Sequence, residues 1–141
     1  ATGLISDSLP PLEVALSGYR MALERFYDEC KKQNLRLILL TQPVIYRDDL
    51  SEKEKALLWM GWGETLTENG QRIYYSASVL ARSIQMFNDV ARDFALKHPD
   101  VAFVDLAATL PSDTSVFYDD CHFNESGARK AAEIISEKVD L

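Results

Sequence analysis

The chain has 141 residues, 47% of them hydrophobic and 26% charged, which is the size and composition of one ordinary globular domain. Its net charge of -7 disfavours nucleic-acid binding, because phosphate groups are bound by a basic face. The longest apolar run, LILL at residues 37–40, falls far short of the ~20 residues that span a bilayer, so no membrane span is expected.

The first part of the chain predicts an irregular segment, a helix and a strand. Residues 1–10 show no signal-peptide pattern and run into two prolines, so we expect them to be irregular, with no strand before residue 35. Apolar residues then alternate at steps of four and three, which predicts a helix ending near Gln33–Asn34. Its apolar stripe comprises Leu12, Leu16, Tyr19, Leu23, Phe26 and Cys30. LRLILLTQ (35–42) is typical of a strand buried on both faces in a parallel sheet.

The rest of the chain predicts three helices and a second strand. Ser51–Glu54 fits a capping box and predicts a short helix. GWGETLTENG (61–70) is rich in Gly and Asn, which favours a loop. A long helix follows and ends at His98–Asp100, VAFVDL (101–106) predicts a second buried strand, and Asn124 is a plausible N-cap for the last helix.

The predicted order is helix, strand, helix, helix, strand, helix. This alternation indicates a single α/β domain over residues 1–141 with parallel strands. Ligands bind at the carboxyl ends of such strands. Three polar segments are expected there: Gln42, Asp105 and the loop at 119–122.

The most specific pattern lies in FYDDCHFNESGARKAAEIISEKV, residues 117–139. Asp119 precedes His122 by three residues, and a predicted helix starts directly behind them. A histidine becomes a general base when a carboxylate holds one ring nitrogen and the other nitrogen faces a hydroxyl. Asp120 is a competing carboxylate that spacing alone does not exclude.

The block from Asp119 to Gly127 resembles the last sequence block of the SGNH hydrolases, also called the GDSL family. VAFVDLAATLP resembles the family's final strand, LRLILLTQP the strand before it, and FNDVARDFALKHP the helix between them, so the resemblance covers nearly the whole chain. The family is a flavodoxin-like three-layer sandwich that hydrolyses acyl esters and, in some members, thioesters or sugar acetates. The resemblance implies that His122 is the catalytic base and Asp119 its orienting carboxylate. No cofactor and no metal are predicted.

The same resemblance requires a serine nucleophile in a G-D-S block and oxyanion-hole residues from two later loops, and this sequence has no G-x-N-D. Residues 5–9, ISDSL, imitate the tail of G-D-S-L, but Ser6 stands where the family has glycine and two prolines follow Ser8. We therefore expect this chain to correspond to the C-terminal half of an SGNH hydrolase and to be inactive by itself. Two alternatives stay open: a stand-alone non-catalytic dimeric module with a binding or decayed role, and a divergent complete esterase that uses Ser8.

Three other groups carry weaker predictions. Trp59 and Trp62 could line a substrate pocket or cover core equally well. Cys121 is not expected to form a dyad with His122, because adjacent loop residues generally point apart. Acidic loop residues are common in an acidic chain, so no bound cation is expected at Asp48, Asp49, Asp119 and Asp120.

Two parallel strands alone would leave one edge of the 35–42 strand without a partner. Such an edge exposes unpaired N–H and C=O groups. We expect a homodimer that pairs residues 35–41 of two copies across a two-fold axis, or else a swapped N-terminal segment. The sequence indicates neither the compartment nor which small ester would be the substrate.

Overall fold

The computed structural model of the chain describes residues 4–59, 61–67 and 69–139, with the backbone alone for residues 62–66. The described residues form an α/β arrangement, as predicted. Its elements in chain order are β1 (Leu4–Ser6), α1 (Glu13–Lys32), β2 (Ile38–Leu40), α2 (Glu52–Lys55), β3 (Trp62–Leu66), β4 (Arg72–Tyr75), α3 (Ala77–Lys97), β5 (Ala102–Val104), α4 (Leu106–Thr109) and α5 (Glu125–Lys138).

The two predicted strands pair with each other in parallel. Ile38 lies opposite Ala102 and Leu40 opposite Val104, which confirms the predicted direction of the pair. Both strands are shorter than predicted. β5 ends at Val104 because the Asp105 side chain accepts a hydrogen bond from the backbone N–H of Ala108 and caps α4.

The prediction of a loop over residues 61–70 is wrong. β3 and β4 form an antiparallel hairpin in which Trp62 lies opposite Tyr74. Of the residues that suggested a loop, Asn69 and Gly70 occupy the tip, where Gly70 has a φ of 73° and donates its N–H to the carbonyl of Thr67, whereas Gly63 lies within β3 itself. The residues after the tip, RIYY, are mostly strand formers.

The prediction of an irregular N-terminus is also wrong for residues 4–6. β1 pairs in parallel with β4, with Ile5 opposite Tyr74, and completes a three-stranded sheet of order β1-β4-β3. Such a short strand has no local signal strong enough to reveal it, because its hydrogen bonds depend on an edge that is formed about 70 residues later. Residues 1–3 of the predicted irregular segment lie outside the described residues.

The β2–β5 sheet lies between two apolar clusters. On one side, α1 and α3 pack through Leu23, Ala91 and Phe94. The predicted stripe of α1 is wrong at Phe26, which is 60% exposed, and Tyr27 packs in that cluster instead. The second cluster joins Val104 and the neighbouring loops to α5 through Val116, Phe117 and Ala131. The loop that carries Asp119 and His122 therefore rises directly from the core.

Candidate active site

The loop between Phe117 and Phe123 is closed tightly at its base. These two residues form an antiparallel bridge, and their rings lie 5.4 Å apart. Inside that bridge, the backbone N–H of Tyr118 donates to the carbonyl of His122 over 3.2 Å. Asp119 and His122 consequently lie in a short turn that is closed by a hydrogen bond of its own backbone.

Hydrogen bonds at the start of α5 connect this loop to the preceding segment of the chain. Asn124 is the N-cap, as predicted, since its Oδ1 accepts from the N–H of Gly127 over 2.8 Å. Its Nδ2 donates to the carbonyl of Thr114, and its backbone N–H donates to the carbonyl of Val116. A Cβ on Gly127 would lie 2.1 Å from that Val116 oxygen, so only glycine allows the helix to approach this closely.

Asp119 and His122 are in direct contact. His122 Nδ1 lies 2.9 Å from Oδ2 and 3.0 Å from Oδ1 of Asp119. Asp119 Oδ1 also accepts from the backbone N–H groups of His122, over 2.9 Å, and Cys121, over 3.1 Å. The carboxylate side chain is 12% exposed and the imidazole 54% exposed. A largely buried acid thus orients an imidazole that is open to solvent.

The electrostatics of Asp119 favour its charged form. Burial opposes ionisation, but the two backbone donors, the His122 ring and the Trp59 side chain outweigh it and lower the pKa of Asp119 to about 2. At neutral pH Asp119 is therefore an anion, and it accepts a hydrogen bond from a protonated Nδ1 of His122. This contact favours the tautomer in which the other nitrogen of His122, Nε2, carries a lone pair.

Asp120 has a different position and different partners. It is fully buried, and its carboxylate accepts from the Tyr46 hydroxyl over 2.7 Å and from the Trp59 backbone N–H over 2.8 Å. Its own carbonyl accepts from the N–H of Ile45. Of the two carboxylates that the sequence left open, Asp119 contacts the imidazole, and Asp120 ties residues 45–59 to the loop.

The predicted tryptophan pair is placed only in part. The Trp59 side chain is 60% exposed, so it does not cover core, and it is close enough to Asp119 to help lower the pKa of that carboxyl. The Trp62 side chain lies outside what the structure describes. Sequence reasoning could not assign the Trp59 contact, because 60 positions separate the two partners.

Cys121 lies nearer to the imidazole than expected, but it does not form a dyad. Its Sγ is 4.0 Å from His122 Nδ1, the same nitrogen that Asp119 holds. Burial, together with Asp119 and Asp120, raises the pKa of the Cys121 thiol, so the thiol stays protonated at neutral pH. The ligand atoms of Asp119, Cys121 and His122 lie within 4.8 Å of one another, a spacing that an ion could bridge, but the protonated thiol is a poor ligand.

The four acidic residues considered for a cation have separate roles in the described residues. Asp49 pairs with Arg47 over 2.8 Å, and Asp120 with Tyr46. Asp119 holds His122, and Asp48 lies on a cavity wall.

Ser8 follows a strand, contrary to prediction, but an exposed one: Ile5 is 72% exposed. The backbone N–H of Ser8 donates to Ser6 Oγ over 3.3 Å. Within the described ranges, no hydrogen bond joins the Ser8 hydroxyl to His122. The structure therefore does not bring Ser8 to the imidazole as a bonded pair.

A second polar network lies at the carboxyl ends of β2 and β5, where Gln42 and Asp105 were expected. Arg92 donates to both oxygens of Asp105, over 2.7 and 2.9 Å, and Thr41 donates to Oδ1 of the same carboxylate. The Asn88 side chain accepts a hydrogen bond from the backbone N–H of Gln42 through Oδ1 and donates one to the Gln42 carbonyl through Nδ2. These contacts satisfy the ends of the strands, and we assign them a structural role.

Comparison of the chain with protein-family models, with curated proteins and with solved structures found no match. The SGNH resemblance therefore rests on the residues of this sequence alone. Among the described residues, no helix is both long and apolar enough to cross a membrane.

Proposed function

We propose that this chain carries the base and the orienting acid of a serine ester hydrolase of the SGNH type. The observation that carries the proposal is the contact between Asp119 and His122 Nδ1, which leaves Nε2 on an exposed imidazole. This is the arrangement that general-base catalysis needs. The contact between a largely buried acid and an exposed base distinguishes it from an ordinary surface ion pair.

The chemistry follows from that geometry. Nε2 accepts the proton of a serine hydroxyl while the serine oxygen attacks the ester carbonyl, and Asp119 stabilises the imidazolium that forms. The imidazolium returns its proton to the leaving alkoxide, so an alcohol departs and an acyl-serine remains. Water then attacks the acyl group by the same route, which releases the carboxylic acid and restores the serine.

The serine is proposed to come from a segment outside these 141 residues. Within the described part of the chain, no hydroxyl group is hydrogen-bonded to Nε2 of His122. In the same residues, β2 pairs with β5 on one edge and with no strand on the other. A further strand added in parallel to that free edge would end on the same side of the sheet as the 119–122 loop. Such strands would extend the β2–β5 sheet into a flavodoxin-like three-layer sandwich.

A homodimer through the same edge would act differently. Continuous pairing of β2 with its own copy across a two-fold axis is antiparallel, because the axis reverses the strand direction. The partner's 119–122 loop would then lie at the opposite end of the sheet. Homodimerisation would cover the edge, including Leu40, which is 37% exposed, but it would leave the site without a nucleophile. This is the second proposal: a stand-alone dimeric module whose role is not catalytic.

Fluorophosphonate labelling tests the first proposal, since this reagent reacts with activated serines. The chain alone should show no adduct by intact mass spectrometry. The chain expressed together with the reading frame that precedes it in its gene should gain one adduct, which His122→Ala abolishes. An adduct on the chain alone that is lost in Ser8→Ala would support a complete esterase. A preceding frame that yields no labelled serine would contradict the proposal.

A second measurement tests the dyad without any nucleophile. The chain contains two histidines, so the ring nitrogens of His122 and His98 can be assigned by NMR from a single His98→Gln variant. We expect the Nδ1–H tautomer at His122, and Asp119→Asn should redistribute the tautomers. Equilibrium sedimentation of the chain alone tests the second proposal, since a monomer at micromolar concentration would rule out the homodimer.

A further inference from the structure

A cavity of about 520 Å³ lies between Trp59, β1, β4 and the start of α3. Its lining is mainly apolar and comes from four separate elements of the chain. The large apolar lining residues are Ile5, Leu58, Trp59, Tyr74, Tyr75 and Leu80. Its volume lies within the range of about 300–1,000 Å³ that is usual for small-molecule sites, as is a lining of aromatic and aliphatic side chains.

The cavity is apolar surface that folding leaves open. Ile5 is 72% exposed and Trp59 is 60% exposed, although both belong to residue types that normally gain from burial. Both residues line the same cavity, together with Tyr74 and Tyr75 of β4. Contiguous exposed apolar surface of this kind marks ligand or partner sites.

One wall of the cavity is also part of the candidate active site. The Trp59 side chain lines the cavity and helps to lower the pKa of Asp119, while its backbone N–H donates to Asp120 over 2.8 Å. The residue that holds the dyad carboxylate from one side is thus the residue that a ligand in the cavity would touch. Trp59 therefore links the cavity wall to the two aspartates of the 119–122 loop.

The charges on the cavity wall select against a strongly charged ligand. Among the described lining residues they are one carboxylate, Asp48, and one ammonium, Lys55, which is already paired with Glu52 over 2.7 Å. Ser76 and Ser78 supply neutral polar groups. Neither sign dominates, so the gain on binding comes from apolar area, roughly 0.8 kcal/mol for each methylene group buried.

We propose that this cavity binds the acyl chain of a neutral, medium-chain ester, with the carbonyl directed toward His122. The catalytic meaning of this binding depends on the function proposed above, but the binding itself does not. Short acyl groups such as acetyl would leave the aromatic wall uncovered. The proposal therefore separates a lipid-like acyl ester from a sugar acetate as the substrate class.

NMR titration with octanol, which cannot be hydrolysed, tests the binding. The chain has two tryptophans and hence two indole N–H signals, assigned with Trp59→Phe. We expect the Trp59 signal to shift in a saturable way with octanol, and to shift at least tenfold less with ethanol at equal concentration. An unchanged Trp59 signal, or equal responses to both alcohols, would overturn the proposal.

Two variants place the ligand in the cavity. Ser78→Phe fills it from α3 and should weaken octanol binding at least tenfold, while Ser17→Phe, the same change on the exposed face of α1, should leave it unaltered. Should Ser78→Phe disturb folding, Ile5→Asp places a charge at a side chain that is 72% exposed and should weaken binding similarly. Full octanol affinity in a folded Ser78→Phe or Ile5→Asp variant would contradict the assignment.

The two proposals fail separately. His122→Ala should bind octanol like the parent chain, because the imidazole is not among the described residues that line the cavity. Octanol binding without any fluorophosphonate adduct in the longer protein would support the ligand site but contradict the proposed esterase function. An adduct without octanol binding would support the esterase function but contradict the proposal of a medium-chain acyl substrate.

Discussion

The two sheets of this chain differ in how they are held. The inner sheet, β2 and β5, lies between two apolar clusters, and Leu39 and Val104 are buried in it. The outer sheet, β1, β4 and β3, has no buried side chain among those described in β1 and β4. The candidate catalytic loop rises from the inner sheet, whereas the proposed acyl cavity uses the outer one. Rigid support is thus given to the groups that need fixed geometry, and the looser sheet borders the cavity.

The first prediction tests the close contact between α5 and the loop that is supported by the inner sheet. Gly127→Ala should destabilise the chain by about 3 kcal/mol or more, because a Cβ 2.1 Å from the Val116 carbonyl forces α5 away from the dyad loop. Urea unfolding measures the loss. Gly18→Ala is the matched control: nothing lies within 4 Å of its Cβ, so it should stabilise α1 by roughly 0.5–1 kcal/mol. Equal effects of the two changes would refute the close-packing argument.

The second prediction compares the sheets with one substitution. Leu39→Ala in the inner sheet should cost about 2–3 kcal/mol, since Leu39 is 8% exposed. Leu4→Ala in the outer sheet should cost less than about 0.5 kcal/mol, because Leu4 is 53% exposed. Thermal or urea unfolding of both variants checks the ratio. A large cost at Leu4 would mean that the outer sheet is as firmly packed as the inner one.

The third prediction concerns acid. Hydrogen bonds from Ser51 and Arg47 lower the pKa of Glu54 to about 2, and the donors around Asp119 lower its pKa to about 2 as well. The unfolded values lie near 4, so both groups stabilise the fold fully above about pH 5, and that contribution is lost as the pH falls toward 2. The unfolding midpoint in urea should therefore drop between pH 5 and pH 2.

Asp119→Asn sharpens this prediction. The variant should start with a lower midpoint at neutral pH and should lose less of it on acidification than the parent chain, because one of the titrating carboxylates is gone. A parent-like pH slope in Asp119→Asn would show that Asp119 does not hold its charge through the contacts described here.

Local chemistry accounts for what was predicted correctly. The capping box at Ser51, the cap at Asn124 and the helix that begins at Glu13 all depend on neighbours within a few positions. The contact between Asp119 and His122 is of the same kind, since the two residues stand three positions apart in a tight turn. The parallel pairing of β2 and β5 was expected because apolar runs between helices favour it.

Long-range contacts account for what was missed. β1 became a strand only because β4 offers an edge, and the glycine-rich stretch at 61–70 became a hairpin with the same partner. The burial of Asp120 and its hydrogen bond from Tyr46, 74 positions away, could not be derived from spacing, and neither could the effect of Trp59 on the pKa of Asp119. A composition rich in glycine and asparagine marks a turn but does not say whether the turn joins two strands.

The sequence by itself therefore determined four of the helices, the parallel pair and the presence of an acid close to His122, because these depend mainly on residues close together in the chain. Only the tertiary structure decided which of the two adjacent aspartates holds the imidazole, that a second sheet exists and that its surface forms a cavity against Trp59. Those features depend on which distant segments meet, and their contacts offset the entropy of closing long loops only once the whole chain has folded.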